Sequence, residues 1–156
     1  MLTILDTDVL SELRLPSPAP SVAGWFAELS ADDIALAAFT ITEIEYGITM
    51  LPSRDANFAS RLKTWLEMIV ATHRVLPLDA GAASVLGRMY AVPALRNLAV
   101  THPRAARPKF GGDLAIAATA ISHGAAVASR NQRDFALIAQ HFPKLSGIDP
   151  FSGRSF

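Results

Sequence analysis

Short, unbroken apolar runs alternate with helix-period patterns along this chain, and that alternation limits the fold more than any other feature. The runs are Leu2–Leu5, Ile34–Phe39, Val75–Leu78, Ala125–Ser129 and, more weakly, Ser146–Ile148. Runs without polar interruption are what strands buried on both faces look like, and such strands belong to parallel sheets. Between them, Val22, Trp25, Phe26 and Leu29 fall on one helical face, as do Phe58, Leu62, Trp65, Leu66 and Ile69. Ala82, Val85, Leu86 and Met89 form a third stripe, and Phe135, Ile138, Ala139 and Phe142 a fourth, stopped by Pro143. The segment Asp113 to His123 is apolar almost all round and ends at Gly124, which predicts a central buried helix. The expected class is α/β, with a parallel sheet and right-handed crossovers.

The 156 residues predict one domain, spanning 1–156, with a core of ordinary size. A 51% hydrophobic and 18% charged composition argues against disorder. There is no cysteine, which removes thiol catalysis, disulfide scaffolds and cysteine-ligated zinc. The first apolar run meets Asp6 after four residues, too short for a signal peptide or a membrane span, and no other run is long enough. A cytoplasmic protein is expected. Pro93, Pro103 and Pro108 mark one long connection before Asp113.

The acids carry the functional signal. Asp6 closes the first strand, Thr40 to Glu43 has capping-box spacing after the second, and Asp113 heads the buried helix behind Gly111-Gly112. Asp134 lies three residues after Asn131, beyond the fourth strand. Each alone reads as a helix cap or first-turn acid. Together they do not, because all strands of a parallel sheet point one way and feed one rim. If the first and fourth strands are neighbours, Asp6, Glu43, Asp113 and Asp134 converge where open α/β sheets bind ligands. Two carboxylates ~6 Å apart repel by roughly 3 kcal/mol at an effective dielectric near 20. Such a cluster holds protons or a cation, and an oxygen-only set suits Mg²⁺ or Mn²⁺. Asp79, after the third strand, is a cap or a further rim acid. Thr7 and Ser129 stand at strand ends beside these acids, while His73, His102, His123 and His141 show no metal-binding spacing.

Net charge is zero, but Ala80 to Gly112 contains no acid and holds Arg88, Arg96, Arg104, Arg107 and Lys109. That stretch is either a solvated face with its loop or a phosphate-attracting patch.

Three blocks in this order, "LDTDVLSEL", "TITEIEYGI" and "GGDLAIAATAISHGAAVASRNQRDF", resemble the PIN-domain ribonucleases, and within them the VapC and FitB toxins of bacterial toxin–antitoxin pairs. The resemblance runs from Leu2 to about Phe135. It implies a three-layer α/β/α sandwich around a mainly parallel sheet. It also implies that Asp6, Glu43, Asp113 and Asp134 bind one or two divalent metal ions, Mg²⁺ or Mn²⁺, and that metal-bound water cuts an RNA phosphodiester, transfer RNA being the common target class. Ser129, Asn131 and Thr7 would support the site, and Arg104, Arg107, Lys109 and Arg130 are candidate contacts to the RNA backbone. A small antitoxin partner and a homodimer are further implications, with no membrane attachment. The family often has asparagine where this chain has Asp8, and some members carry a further acid where Ala115, Ile116 and Ala117 stand. Two other readings stay open at this point. One is a non-catalytic interaction module or co-repressor bound to an antitoxin. The other is a haloacid-dehalogenase-like phosphatase using Asp6 and Asp8, which would need an acid near Ala117 and a serine before Asp113.

Overall fold

A computed structural model describes residues 1–100 and 111–156. Six strands form one sheet: β1 (Thr3–Leu5), β2 (Ile34–Ala37), β3 (Arg74–Leu76), β4 (Ala126–Ala128), β5 (Gly147–Asp149) and β6 (Arg154–Ser155). The helices are α1 (Thr7–Leu13), α2 (Pro20–Ala27), α3 (Ala38–Thr49), α4 (Ala56–Thr72), α5 (Ala80–Tyr90), α6 (Arg96–Ala99), α7 (Gly112–His123) and α8 (Gln132–His141). Sheet order is β3-β2-β1-β4-β5-β6, parallel throughout except for the antiparallel return of β6 on β5.

Successive strand residues point to opposite faces, and the core divides accordingly. Ile4, Ala35, Ala37 and Val127 pack with residues of α5, α7 and α8. Leu5, Leu36 and Ala128 pack with residues of α1, α2, α3 and α4. The result is the expected three-layer α/β/α sandwich with a mainly parallel sheet. Helix α7 is buried from Leu114 to Ala120, as its all-round apolar sequence requires. It starts from Gly111 in the left-handed region (φ 67°), where a Cβ would be strained, and stops at Gly124, also left-handed (φ 64°).

Several boundaries depart from the sequence reading. Strand β2 ends at Ala37 and α3 begins at Ala38, so Phe39 is helical and Thr40 is no cap. The Thr40 to Glu43 capping box does not form: Thr40 is buried with its hydroxyl unpartnered, and Glu43 accepts from a residue on α1. Helix α5 runs back along α7, with Asp79 capping it through Ala82 N–H at 2.9 Å and facing His123 at 3.5 Å. Asp79 therefore lies at the far end of α7 from Asp113, ~15 Å of helix away. The connection before Asp113 contains α6, and β6 with Phe156 closes the sheet edge, the ring of Phe156 stacking on buried Phe135 at 5.5 Å. Neither feature has a periodic signature long enough to read.

The chain steps outward from β1 to β2 and β3, then returns to β4 on the other side of β1. The β1/β4 boundary is thus the switch point of the sheet, where a crevice opens beyond the carboxyl ends of the strands.

Candidate acidic cation site

The crevice is built by register. Leu5 pairs with Ala128, so the next residues of the two strands, Asp6 and Ser129, stand side by side. Asp6 N–H donates to the Ala128 carbonyl at 3.0 Å, and Ser129 Oγ donates to Asp6 Oδ2 at 2.6 Å. The other Asp6 oxygen accepts Thr7 N–H at 2.7 Å, which makes Asp6 the N-cap of α1. Cap and cluster member are the same residue. Asp6 is only 6% exposed. Burial is the main reason its carboxyl is shifted upward, against the pull of its Ser129 and Thr7 hydrogen bonds.

Glu43 comes from the second turn of α3. Its Oε2 accepts the Thr7 hydroxyl at 2.6 Å, so Thr7 bridges two acids through its backbone and its side chain. Burial chiefly raises the Glu43 carboxyl as well, with the nearby Asp6 charge adding to it and the Thr7 bond opposing. The carboxylate lies against the start of α7: a Cβ at Gly112 would collide with Glu43 Oε1, and would come within 3.2 Å of Phe39. The second glycine of Gly111-Gly112 is thus a space requirement of the site, distinct from the backbone requirement of the first.

Asn131, at the N-cap of α8, makes no side-chain cap. Its Nδ2 donates instead to Asp113 Oδ2 and Asp134 Oδ2, at 2.9 Å each. Its backbone N–H donates to Ser129 Oγ at 3.0 Å. A continuous network therefore runs from Asp134 through Asn131, Ser129, Asp6 and Thr7 to Glu43, with Asp113 attached at Asn131. The network brings together seven residues expected from the sequence: Asp6, Thr7, Glu43, Asp113, Ser129, Asn131 and Asp134. Of the basic candidates, Arg130 is exposed beside the crevice with its guanidinium 4.7 Å over the Phe151 ring. Arg104, Arg107 and Lys109 lie outside the described residues.

Asp6, Thr7, Asp8, Ser11, Glu43, Asp113 and Asn131 line a cavity of about 370 Å³. Ser11 was not among the expected site residues, and Asp8 was expected in a site only under the phosphatase reading. An acid two positions after a strand-end acid, in the first turn of the following helix, was the available signal for Asp8. Its Oδ2 accepts Arg130 N–H at 3.0 Å, while Oδ1 is buried with no hydrogen-bond partner. Burial first, then the Asp6 charge, pushes the Asp8 carboxyl up to about 7.

In this conformation no three acidic or histidine side chains among the described residues already form a coordination sphere. Thr7, Ser129 and Asn131 are interposed as donors between the carboxylates. The residues nevertheless fit a hard divalent cation. The acids at the crevice offer carboxylate oxygens, three of them are raised toward their protonated forms, and one buried oxygen lacks any donor.

The family model for the PIN domain matches residues 3–140. The chain belongs to the PIN domain family. Among curated PIN relatives, it is 31% identical to Toxin FitB of Neisseria gonorrhoeae over 134 residues, covering 85% of this chain and 89% of that protein. It is 32% identical over the same length, with the same coverage of each chain, to VapC ribonuclease Y4jK of Sinorhizobium fredii. In the crystal structure of FitAcB from Neisseria gonorrhoeae, a similar chain superposes with a TM-score of 0.71 at 25% identity, covering 96% of this chain and 99% of that one. Among the described residues of this PIN domain, no helix is long and apolar enough to cross a membrane.

Proposed function

We propose that this chain is a divalent-metal-dependent endoribonuclease and the toxin half of a toxin–antitoxin pair, acting in the cytoplasm. The observation that carries the proposal is the hydrogen-bonded acidic crevice at the β1/β4 switch point, in a chain related to a VapC ribonuclease and to Toxin FitB.

In this reading Asp6, Glu43, Asp113 and Asp134 hold Mg²⁺ or Mn²⁺. When bound, that cation lowers the pKa of water and neutralises the charge that grows on the phosphate oxygens. The protein's own part is placement. Ser129 and Thr7 fix both oxygens of Asp6, Thr7 reaches on to fix Glu43, and Asn131 keeps Asp113 and Asp134 within reach of one amide. Pre-set carboxylates reorganise little when the charge of the transition state develops. Arg130, exposed at the rim and stacked over Phe151, offers a cation to the RNA backbone, as do Arg104, Arg107 and Lys109. The substrate is RNA, with transfer RNA as the class to test first. The natural partner is a small antitoxin that places a basic side chain in the acidic crevice.

The test is incubation of the antitoxin-free, folded protein with total RNA in Mg²⁺, in Mn²⁺ and in EDTA. Cutting in either metal and none in EDTA is the expected result. Absence of cutting in both metals would overturn the nuclease reading and favour an interaction module.

A further inference from the structure

Asp8 does more in this structure than begin α1. It lines the same cavity as Asp6, Glu43, Asp113 and Asn131, and its Oδ2 is occupied by the N–H of Arg130. Its Oδ1 is buried without a partner, one of two side-chain atoms in that state among the described residues; the other is the Thr40 hydroxyl. A buried carboxylate oxygen without a donor is costly to keep unless a proton or a cation sits on it. No other cluster acid leaves a buried oxygen without a partner among the described residues, and each has a donor of its own: Thr7 and Ser129 for Asp6, Thr7 for Glu43, Asn131 for Asp113 and Asp134.

We propose that Asp8 is a further oxygen donor for the divalent cation held by this crevice, alongside Asp6, Glu43, Asp113 and Asp134. The inference rests on the metal-dependent reading above and goes beyond it in assigning a fifth carboxylate. Arg130 N–H fixes the plane of the group by holding Oδ2, which leaves Oδ1 as the oxygen free to bind. Asparagine at position 8 would be a poor substitute for a defined reason. Its one carbonyl oxygen must take the Arg130 N–H, so its NH₂ would occupy the place of Oδ1. That group repels a cation but donates readily to a neighbouring carboxylate. The same exchange therefore weakens cation binding and relieves the metal-free protein.

The experiment measures Mn²⁺ binding by electron paramagnetic resonance and melting temperature in EDTA, for the unmodified chain, Asp8→Asn and Asp113→Asn. The expected result for Asp8→Asn is an Mn²⁺ dissociation constant raised about 10-fold or more, with a metal-free melting temperature equal to or above that of the unmodified chain. If the unmodified chain and Asp113→Asn bind Mn²⁺ with clearly different affinity while Asp8→Asn matches the unmodified chain, this inference falls and the metal reading stands. If the unmodified chain binds no Mn²⁺, both fall. Weaker binding together with a lower metal-free melting temperature would reduce Asp8 to a support for the Arg130 turn, and would overturn the assignment. Should Asp8→Asn not fold, Asp8→Ser, whose hydroxyl still accepts from Arg130, gives the same two readouts with the same expected loss of affinity.

Discussion

One amide nitrogen, Asn131 Nδ2, donates to Asp113 Oδ2 and to Asp134 Oδ2 at 2.9 Å each. Two acids from different helices are thereby held by the two hydrogens of a single side chain. Removing that amide leaves both carboxylates short of a donor. Asn131→Ala should lower RNA cleavage about 10- to 100-fold, the usual cost of losing a group that orients a metal-binding carboxylate. It should also lower stability by about 1–3 kcal/mol. Cleavage rates and thermal melting on the same preparation check both. Unchanged cleavage would show that Asp113 and Asp134 orient themselves.

Ser129 poses the same test at the centre of the network. Its hydroxyl is buried, accepts Asn131 N–H and donates to Asp6. Ser129→Ala breaks both bonds without adding volume, at an expected cost of about 1–3 kcal/mol in the metal-free protein. Saturating Mg²⁺ should recover part of that loss, because a cation offsets the unpaired charge on Asp6. A melting-temperature deficit identical with and without Mg²⁺ would separate Ser129 from the cation site.

Gly112→Ala tests packing. The added methyl would run into the Glu43 carboxylate and press on Phe39. The carboxylate is the mobile end of its side chain, so it moves first and leaves Thr7. The expected outcome is a modest destabilisation, about 1–3 kcal/mol, with cleavage falling more than stability. Full activity in the variant would mean that Glu43 works from another position.

The pH dependence has a definite sign. Asp8 titrates at about 7 in the folded chain, well above the ordinary value of 3.8, and Asp6 and Glu43 are also shifted upward. Between those limits the folded state holds more protons than the unfolded state. Stability therefore falls as pH rises. The Asp8 contribution is whole below about pH 4 and lost as pH rises through about 7. In EDTA the melting temperature should decline from pH 5 to pH 8, and Mg²⁺ should reverse much of the decline at the upper end. Asp8→Asn should flatten the slope. A metal-free melting temperature that climbs steadily to pH 8 would contradict the assignment of these raised acids.

Much of the site was legible because parallel strands share a rim. That rule, with Asp6 at a strand end and Glu43, Asp113 and Asp134 in the opening turns of helices that start from the same rim, needed one further condition, adjacency of β1 and β4, which the sheet meets. Thr7, Ser129 and Asn131 were legible by position, though their bonding was not. What could not be read were distances between elements remote in sequence. The capping-box spacing of Thr40 and Glu43 is real, but α3 starts three residues early because Ala38, Phe39 and Thr40 carry no stop signal, and Thr7, 36 residues away, claims Glu43. Asp79 was expected either as a cap or at the rim, and the antiparallel course of α5 along α7 makes it the cap. Asp8 is a first-turn acid of α1 whose hydrogen-bond donor, the N–H of Arg130, lies 122 residues later and could not be read from the sequence.

Whether these carboxylates cut RNA through a bound divalent cation is decided by Asp113→Asn. Asparagine keeps the shape and an acceptor for Asn131 while removing one negative charge from the site. Cleavage of total RNA in Mg²⁺ should be abolished, with the melting temperature in EDTA unchanged or raised. A folded Asp113→Asn protein that cuts at the unmodified rate would mean that RNA is not cut through a cation held by Asp113.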